Sequence, residues 1–204
     1  MAVNKENIII MPISEKMDLI ATYLAEKRML FEYPRQGYGN YDVRGINNIK
    51  AGILGELAFL EYAMQWIEEK FGSYKAEERW SKLKEIGFCY LNIVGVFDDG
   101  FDFKLGNKTV DIKNYGTQKV DKDQIFEYKF KSGRVGPLNL LVDANQSSKA
   151  DIYIQVFQGN ENDVYLAGFC DELPPVNYGF PQPAHQCPIT DLNPMKDIFT
   201  YLNG

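Results

Sequence analysis

One histidine, His185, serves 204 residues, and that scarcity removes whole classes of chemistry. Zinc centres with several His ligands, nucleases pairing a His base with His metal ligands, and two-histidine ribonuclease sites all lack their parts. The three cysteines, Cys89, Cys170 and Cys187, form no CxxC pair and no disulfide-dense pattern, which points to a reducing, cytoplasmic setting. Long apolar runs are missing too. Ile8-Ile9-Ile10-Met11 is too short for a signal peptide or a membrane span, so no membrane partner is expected. There is no P-loop, no GxGxxG and no GxSxG, which leaves nucleotide-binding and α/β-hydrolase readings without support. Positive charge is in deficit: 22 Lys and Arg stand against 28 Asp and Glu, a net −6. That balance gives no global basic footprint for nucleic acid and argues against such a partner unless a basic surface is local.

What is present is an ordinary globular composition, 45% hydrophobic and 25% charged. No repeat or low-complexity linker divides the chain. The expectation is one domain over residues 1–204, with an irregular Pro-rich segment at 174–188.

The most informative stretch runs from Asp99 to Lys113. Phe101, Phe103 and Leu105 alternate with Asp102 and Lys104, and after Gly106-Asn107, Val110 and Ile112 alternate with Asp111 and Lys113. Period-2 alternation around a Gly-Asn pair predicts a β-hairpin with a type II′ turn. Leu105 then pairs with Lys108, and the register sets Asp102 opposite Asp111, Cβ atoms about 4.5–5.5 Å apart. Lys113 lies on the same face, with Phe101, Phe103, Val110 and Ile112 on the other. Opposed like charges destabilise a strand pair. A divalent cation held by oxygen ligands, Mg²⁺ or Mn²⁺, would relieve the repulsion. Simple solvation of an exposed face is the other reading.

The strongest periodic segment is residues 46–71, where Ile49, Ile53, Leu57, Leu60, Met64, Ile67 and Phe71 form one helical stripe. Glu56 falls about 60° from the stripe's centre at 100° per residue. Its neighbours Gly52 and Ala63 are small and leave room for another element. A carboxylate at a core edge needs a partner, either a salt bridge or a metal.

A helix is expected over 14–31, a loop over 33–44, a polar helix over 75–86 and a strand over 88–97. A short helix is expected over 121–131, helix or strand over 138–145, strands over 151–157 and 163–169, and a closing helix over 191–202. Arg35 and Arg44, interleaved with Tyr38 and Tyr41, could meet phosphates and bases, and a surface loop with aromatic anchors is the favoured reading of the stretch.

Helix with Gly52, Gly55 and Glu56, then strand, then hairpin with Asp102 and Asp111-Ile112-Lys113: this order resembles the PD-(D/E)xK nuclease superfamily of restriction enzymes, resolvases and phage exonucleases. Asp99-Gly100-Phe101-Asp102 is similar to the Asp-Gly-x-x-Asp turn of restriction-type members, although Phe101 replaces the usual Pro. Asp98 and Asp99 compete with Asp102 for the first acidic role, and the register favours Asp102. The resemblance implies an α+β restriction-endonuclease-like core, a mixed five-stranded sheet (a three-strand meander plus two later strands) flanked by helices. It implies Mg²⁺ or Mn²⁺ bound by Asp102, Asp111 and the Ile112 carbonyl, with Glu56 approaching from the helix and Lys113 acting on the attacking water. Asn114, Gln118 and Gln155 are further candidate substrate contacts. The expected activity is hydrolysis of DNA, duplex foremost, by an endonuclease of restriction or phage-defence type, with homodimerisation a way to cut both strands. The alternative is a non-catalytic nucleic-acid-binding or assembly protein that keeps this fold.

Overall fold

The computed structural model describes residues 3–32, 43–91, 100–145, 150–179 and 183–202. Strand β1 (Ile9–Pro12) leads into helix α1 (Glu15–Glu32), whose first turn is capped where Ser14 Oγ accepts the Met17 N–H at 3.2 Å. Helices α2 (Val43–Phe71) and α3 (Ala76–Glu85) follow, then strands β2 (Cys89–Tyr90), β3 (Phe103–Leu105) and β4 (Lys108–Val120). Two short strands, β5 (Tyr128–Lys129) and β6 (Val135–Gly136), make a hairpin before β7 (Asn139–Asp143). Strands β8 (Ile152–Gly159), β9 (Asp163–Cys170), β10 (Val176–Asn177) and β11 (Ala184–Pro188) complete the strand set, and α4 (Ile198–Leu202) ends it.

The fold is mixed α+β. Six strands form the main sheet in the order β1-β9-β8-β4-β3-β2, with β4 and β8 parallel and every other neighbouring pair antiparallel. The meander and the two later strands all lie within it, and β1 adds a sixth strand at the β9 edge. On one face, α1, α2, α3 and α4 pack over Phe103, Val110, Ile112, Ile152, Ile154 and Val156. Among the described residues no α-helix covers the opposite face. A three-stranded sheet, β10-β11-β7, covers it instead, placing Leu140, Val142 and Cys187 against Tyr153, Phe157 and Tyr165. Burial of each such large apolar side chain contributes roughly 1.5–3 kcal/mol, so both faces of the central strands are core. Every residue of β8 and β9 is buried.

Three expected elements differ. Residues 121–131 hold a single 3-10 turn at Asp123–Ile125 and then β5, not a helix. The Pro-rich segment contains two strands, β10 and β11, because its alternate residues complete the second sheet. The closing helix is reduced to two 3-10 turns and the five residues of α4; Pro194 lacks the N–H that a continuous helix would need. Residues 92–99, including Asp98 and Asp99, and residues 33–42, including Arg35, lie outside the described residues. Among the described residues no helix is long and apolar enough to cross a membrane.

One glycine sets the distance between helix and sheet. A Cβ on Gly55 would stand 2.7 Å from Val156 Cγ2 and 3.3 Å from Ile112 Cγ2. Gly52, by contrast, faces open space, with nothing within 4 Å. The close approach expected at Gly52 therefore belongs to Gly55, the residue next to Glu56. Gly55→Val is expected to lower stability by about 1–3 kcal/mol through overpacking, read as a fall in the urea midpoint. An unchanged midpoint would show that this glycine does not fix the packing.

Candidate active site

The hairpin turn comes first. Gly106 adopts φ +59 and Asn107 stays outside the left-handed region, as a type II′ turn requires. Leu105 pairs with Lys108 and Phe103 with Val110. The ladder stops there, one residue short of Asp102. The Asp102 N–H donates to the Val110 carbonyl at 2.9 Å, and its carboxylate accepts the Ile112 N–H at 2.7 Å. A side-chain oxygen thus stands where the next main-chain acceptor would be. This bend turns Phe101 away from Phe103: it is only half-buried, with Lys104 Nζ 5.3 Å from its ring centroid.

Strand β4 is fixed at its start by Asp151, which accepts from both the Thr109 N–H (2.7 Å) and the Thr109 hydroxyl (2.8 Å). Along β4, Asp111 lies beside Tyr153 and Lys113 beside Gln155 in the parallel ladder with β8. Lys113 Nζ is 2.6 Å from Asp111 Oδ2, and it also sits 6.0 Å from the Tyr153 ring centroid. Asp111 is buried, at 7% exposure.

Glu56 reaches the same region from α2. Its carboxylate is 3% exposed and held from two sides. Arg28 of α1 pairs with Oε1 at 3.2 Å, and the Tyr90 hydroxyl donates to Oε2 at 2.7 Å. The salt-bridge reading of Glu56 is therefore realised. Neither Arg28 nor Tyr90 stands out in the sequence as a site residue. A signal for Arg28 exists: Ala21, Ala25 and Met29 are buried in α1, and Arg28 borders that stripe just as Glu56 borders its own. Tyr90→Phe is expected to cost about 1.5–3 kcal/mol, the value of a hydrogen bond to a charged group, in denaturant unfolding. A cost near zero would mean that Glu56 is held by Arg28 alone.

Two of these acids act on the third, Asp102. Burial pushes the Asp102 carboxyl well above the usual carboxylate range, and the Glu56 and Asp111 carboxylates push it further. The Ile112 N–H and the Arg28 guanidinium pull the other way without restoring it. The site is thus short of positive charge at Asp102. Hard oxygen donors in that setting suit Mg²⁺ or Mn²⁺ in chemical type. Among the described residues, however, no group of three or more His, Cys, Asp or Glu side chains is gathered as a ready-made metal cluster. Each carboxylate is engaged instead by a protein donor: Asp102 by Ile112, Asp111 by Lys113, Glu56 by Arg28 and Tyr90.

The other candidates separate. Gln155, expected as a substrate contact, lies on a covered face beside Tyr153 and is 2% exposed. Its amide donates to the Lys113 carbonyl (2.9 Å) and the Val156 carbonyl (2.7 Å), so it positions the Lys113 backbone rather than facing outward. Asn114 donates to the Gly116 carbonyl at 2.7 Å and accepts from Gln158 at 3.3 Å. Gln118 is exposed and donates to the Tyr128 hydroxyl at 2.6 Å. Arg44 begins α2 by its backbone, and its side chain lies outside the described residues. No protein-family model, no curated protein and no solved structure matches the chain.

Proposed function

We propose that the chain is a metal-dependent nuclease that hydrolyses phosphodiester bonds of DNA, with Asp102, Asp111, Lys113 and Glu56 as its catalytic residues. The observation that carries this reading is the crowding of partly buried Asp102 by Asp111 and Glu56, with the Lys113 amine 2.6 Å from Asp111. The placement of β2, β3, β4, β8 and β9 in one mixed sheet beside helices supports the PD-(D/E)xK resemblance.

Asp102, Asp111, the Ile112 carbonyl and Glu56 would hold the cation. When bound, it supplies Lewis-acid polarisation of the scissile phosphoryl group and neutralises its charge. The remaining work falls to the chain. Lys113 orients the attacking water and offsets the negative charge that develops on the phosphorane. Gln155 fixes the Lys113 backbone. Arg28 and Tyr90 hold Glu56 in place, so that it arrives already oriented. A water oxygen–phosphorus bond forms and the bond from phosphorus to the 3′-oxygen breaks, leaving 5′-phosphate and 3′-hydroxyl ends.

Incubation of supercoiled plasmid with the protein and Mg²⁺ should give nicked circles, and EDTA should stop the reaction. Linear product at early times would indicate paired sites, as in a homodimer. A second reading, a nucleic-acid-binding or assembly protein that does not cut, is favoured by the absence of a ready-made metal cluster among the described residues. It predicts retention of nucleic acid without nicking in Mg²⁺ or Mn²⁺, and that result would overturn the nuclease reading.

A further inference from the structure

The hairpin of β5 and β6 reverses the sign of the chain's charge. Residues 128–142 carry three cations, Lys129, Lys131 and Arg134, and no carboxylate, in a protein whose net charge is −6. All three cations are exposed. The nearest acid on the following strand, Asp143, lies beyond this stretch. On the preceding side, Glu127 is exposed and Asp123 is paired with Lys5 at 3.1 Å.

The hairpin is built rigidly. Tyr128 pairs with Gly136 and Lys129 with Val135. The Gly133 N–H donates to the Phe130 carbonyl at 2.8 Å, and the Phe130 N–H to the Arg134 carbonyl at 2.9 Å. Gly133 holds φ +82, a conformation that L side chains rarely adopt. This closes a tight loop with Lys131 and Ser132 at its tip. Phe130 and Arg134 face each other across the hairpin, the guanidinium carbon 4.9 Å from the ring centroid. Tyr128 packs edge-on against Phe130, with centroids 5.2 Å apart. Arg134 thereby loses much of its rotamer freedom in advance, and a partner is spared that cost.

Two further features direct this surface. Gln118 of β4 donates to the Tyr128 hydroxyl at 2.6 Å, tying the hairpin to the strand that carries Asp111 and Lys113. Lys113 and Gln118 are five residues apart, at most roughly 16 Å of strand at ~3.3 Å per residue. That is about five nucleotides at 3.4 Å of rise per strand charge. Arg134 also lines a cavity of about 330 Å³ with Asn139 and Gln186. The Gln186 amide nitrogen is buried without a hydrogen-bond partner. The cavity therefore offers donors from Arg134, Asn139 and Gln186, and no carboxylate lines it.

We propose that the β5–β6 hairpin and this cavity grip the phosphodiester backbone of the nucleic acid being cut, through Lys129, Lys131 and Arg134, a few nucleotides from the scissile bond. The identity of the partner rests on the nuclease reading. Exposed lysines without aromatic support are spread over most proteins. Here three cations, two aromatic rings and a donor-lined cavity share one element fixed to the catalytic strand. The two rings are partly buried against the second core, so they hold the hairpin in place and leave the three cations to face a polyanion.

The test is made on the intact chain in EDTA, where no cutting occurs, with fluorescein-labelled duplex DNA, single-stranded DNA and RNA as separate arms. Lys129→Glu/Lys131→Glu/Arg134→Glu is compared with Lys16→Glu/Lys75→Glu/Lys196→Glu, which makes the same charge change at three exposed lysines elsewhere. The hairpin variant should bind at least about tenfold more weakly, and its slope of log affinity against log salt should fall by roughly 2–3, one for each phosphate no longer neutralised. The control variant should keep most of the wild-type slope. In Mg²⁺ the loss of cleavage by the hairpin variant should fall on KM more than on kcat. The strongest arm identifies the substrate. Equal weakening by both variants, or wild-type binding that ignores salt, would overturn the proposal. Binding is read without cleavage, so a protein that holds DNA through this hairpin but never cuts it would sink the nuclease reading alone. Cleavage with unimpaired binding by the hairpin variant would sink only the hairpin.

Discussion

Lys113→Ala should lower single-turnover cleavage of DNA by about 10²–10⁴-fold, the range over which a positioned proton-transfer group contributes. The lysine is partly buried, 2.6 Å from Asp111, and its carbonyl is fixed by Gln155. In the proposed nuclease its ammonium would orient the attacking water and offset the developing charge. Asp111→Ala should do at least as much harm. It would remove a proposed ligand of a cation worth several kcal/mol of transition-state stabilisation, or about 10³-fold in rate. Neither change should abolish DNA binding if the hairpin of β5 and β6 provides the grip. Circular dichroism and a binding isotherm in EDTA separate loss of chemistry from loss of fold. Rates within about threefold of wild type for both variants, far below the span of acid–base catalysis, would remove these residues from the chemistry.

Asp102→Asn carries the second large effect, and it acts in two directions. Cleavage should fall by about 10³-fold, again by loss of a cation ligand, while the metal-free protein becomes more stable. The sign follows from linkage. The folded state raises the Asp102 carboxyl above its unfolded value, chiefly through burial and then through Glu56 and Asp111. The folded protein therefore holds the proton more tightly than the unfolded chain. Stability from this group is fully present below the unfolded value, near 3.9, and is lost as pH rises through the folded one. Asparagine cannot ionise and can still accept the Ile112 N–H. The variant should match wild type in acid and unfold at higher temperature at neutral pH. Added Mg²⁺ should close that gap in the wild type. At a hundredfold excess over Kd it stabilises by about 2.7 kcal/mol, or roughly 5–10 °C in Tm for a chain of this size. The variant should respond much less. An asparagine variant less stable than wild type at neutral pH would show that Asp102 is well accommodated as a carboxylate without any cation.

How far the sequence reached depends on whether the governing forces are local. The turn at Gly106-Asn107 and the pairing of Leu105 with Lys108 are written in two-residue alternation and in one glycine. The stripe of α2 is written in 3.6-residue periodicity, including the placement of Glu56 at its border. The second sheet is not written locally. Strands β7 and β11 are five residues each, far apart in the chain, and they pair only once the main sheet exists to receive Leu140, Val142 and Cys187. That cover explains why Gln155 does not face solvent. Alternation along β8 suggests a solvent face, yet both faces are buried, so a polar residue there has to satisfy its amide on the Lys113 and Val156 carbonyls. The same limit hid the partners of Glu56. Periodicity says that a border carboxylate needs a donor, but it does not say that α1 and a two-residue strand will supply Arg28 and Tyr90.

The proposed nuclease requires Asp102 from a bend, Asp111 from a strand and Glu56 from a helix to share a divalent cation. Crystals soaked in Mn²⁺ and measured at a wavelength where manganese scatters anomalously test it most directly. One dominant peak is expected in contact with both the Asp102 and Asp111 carboxylates, with Lys113 displaced from Asp111 or turned toward the substrate side. A peak elsewhere on the surface, or none while Lys113 stays paired with Asp111, would contradict it.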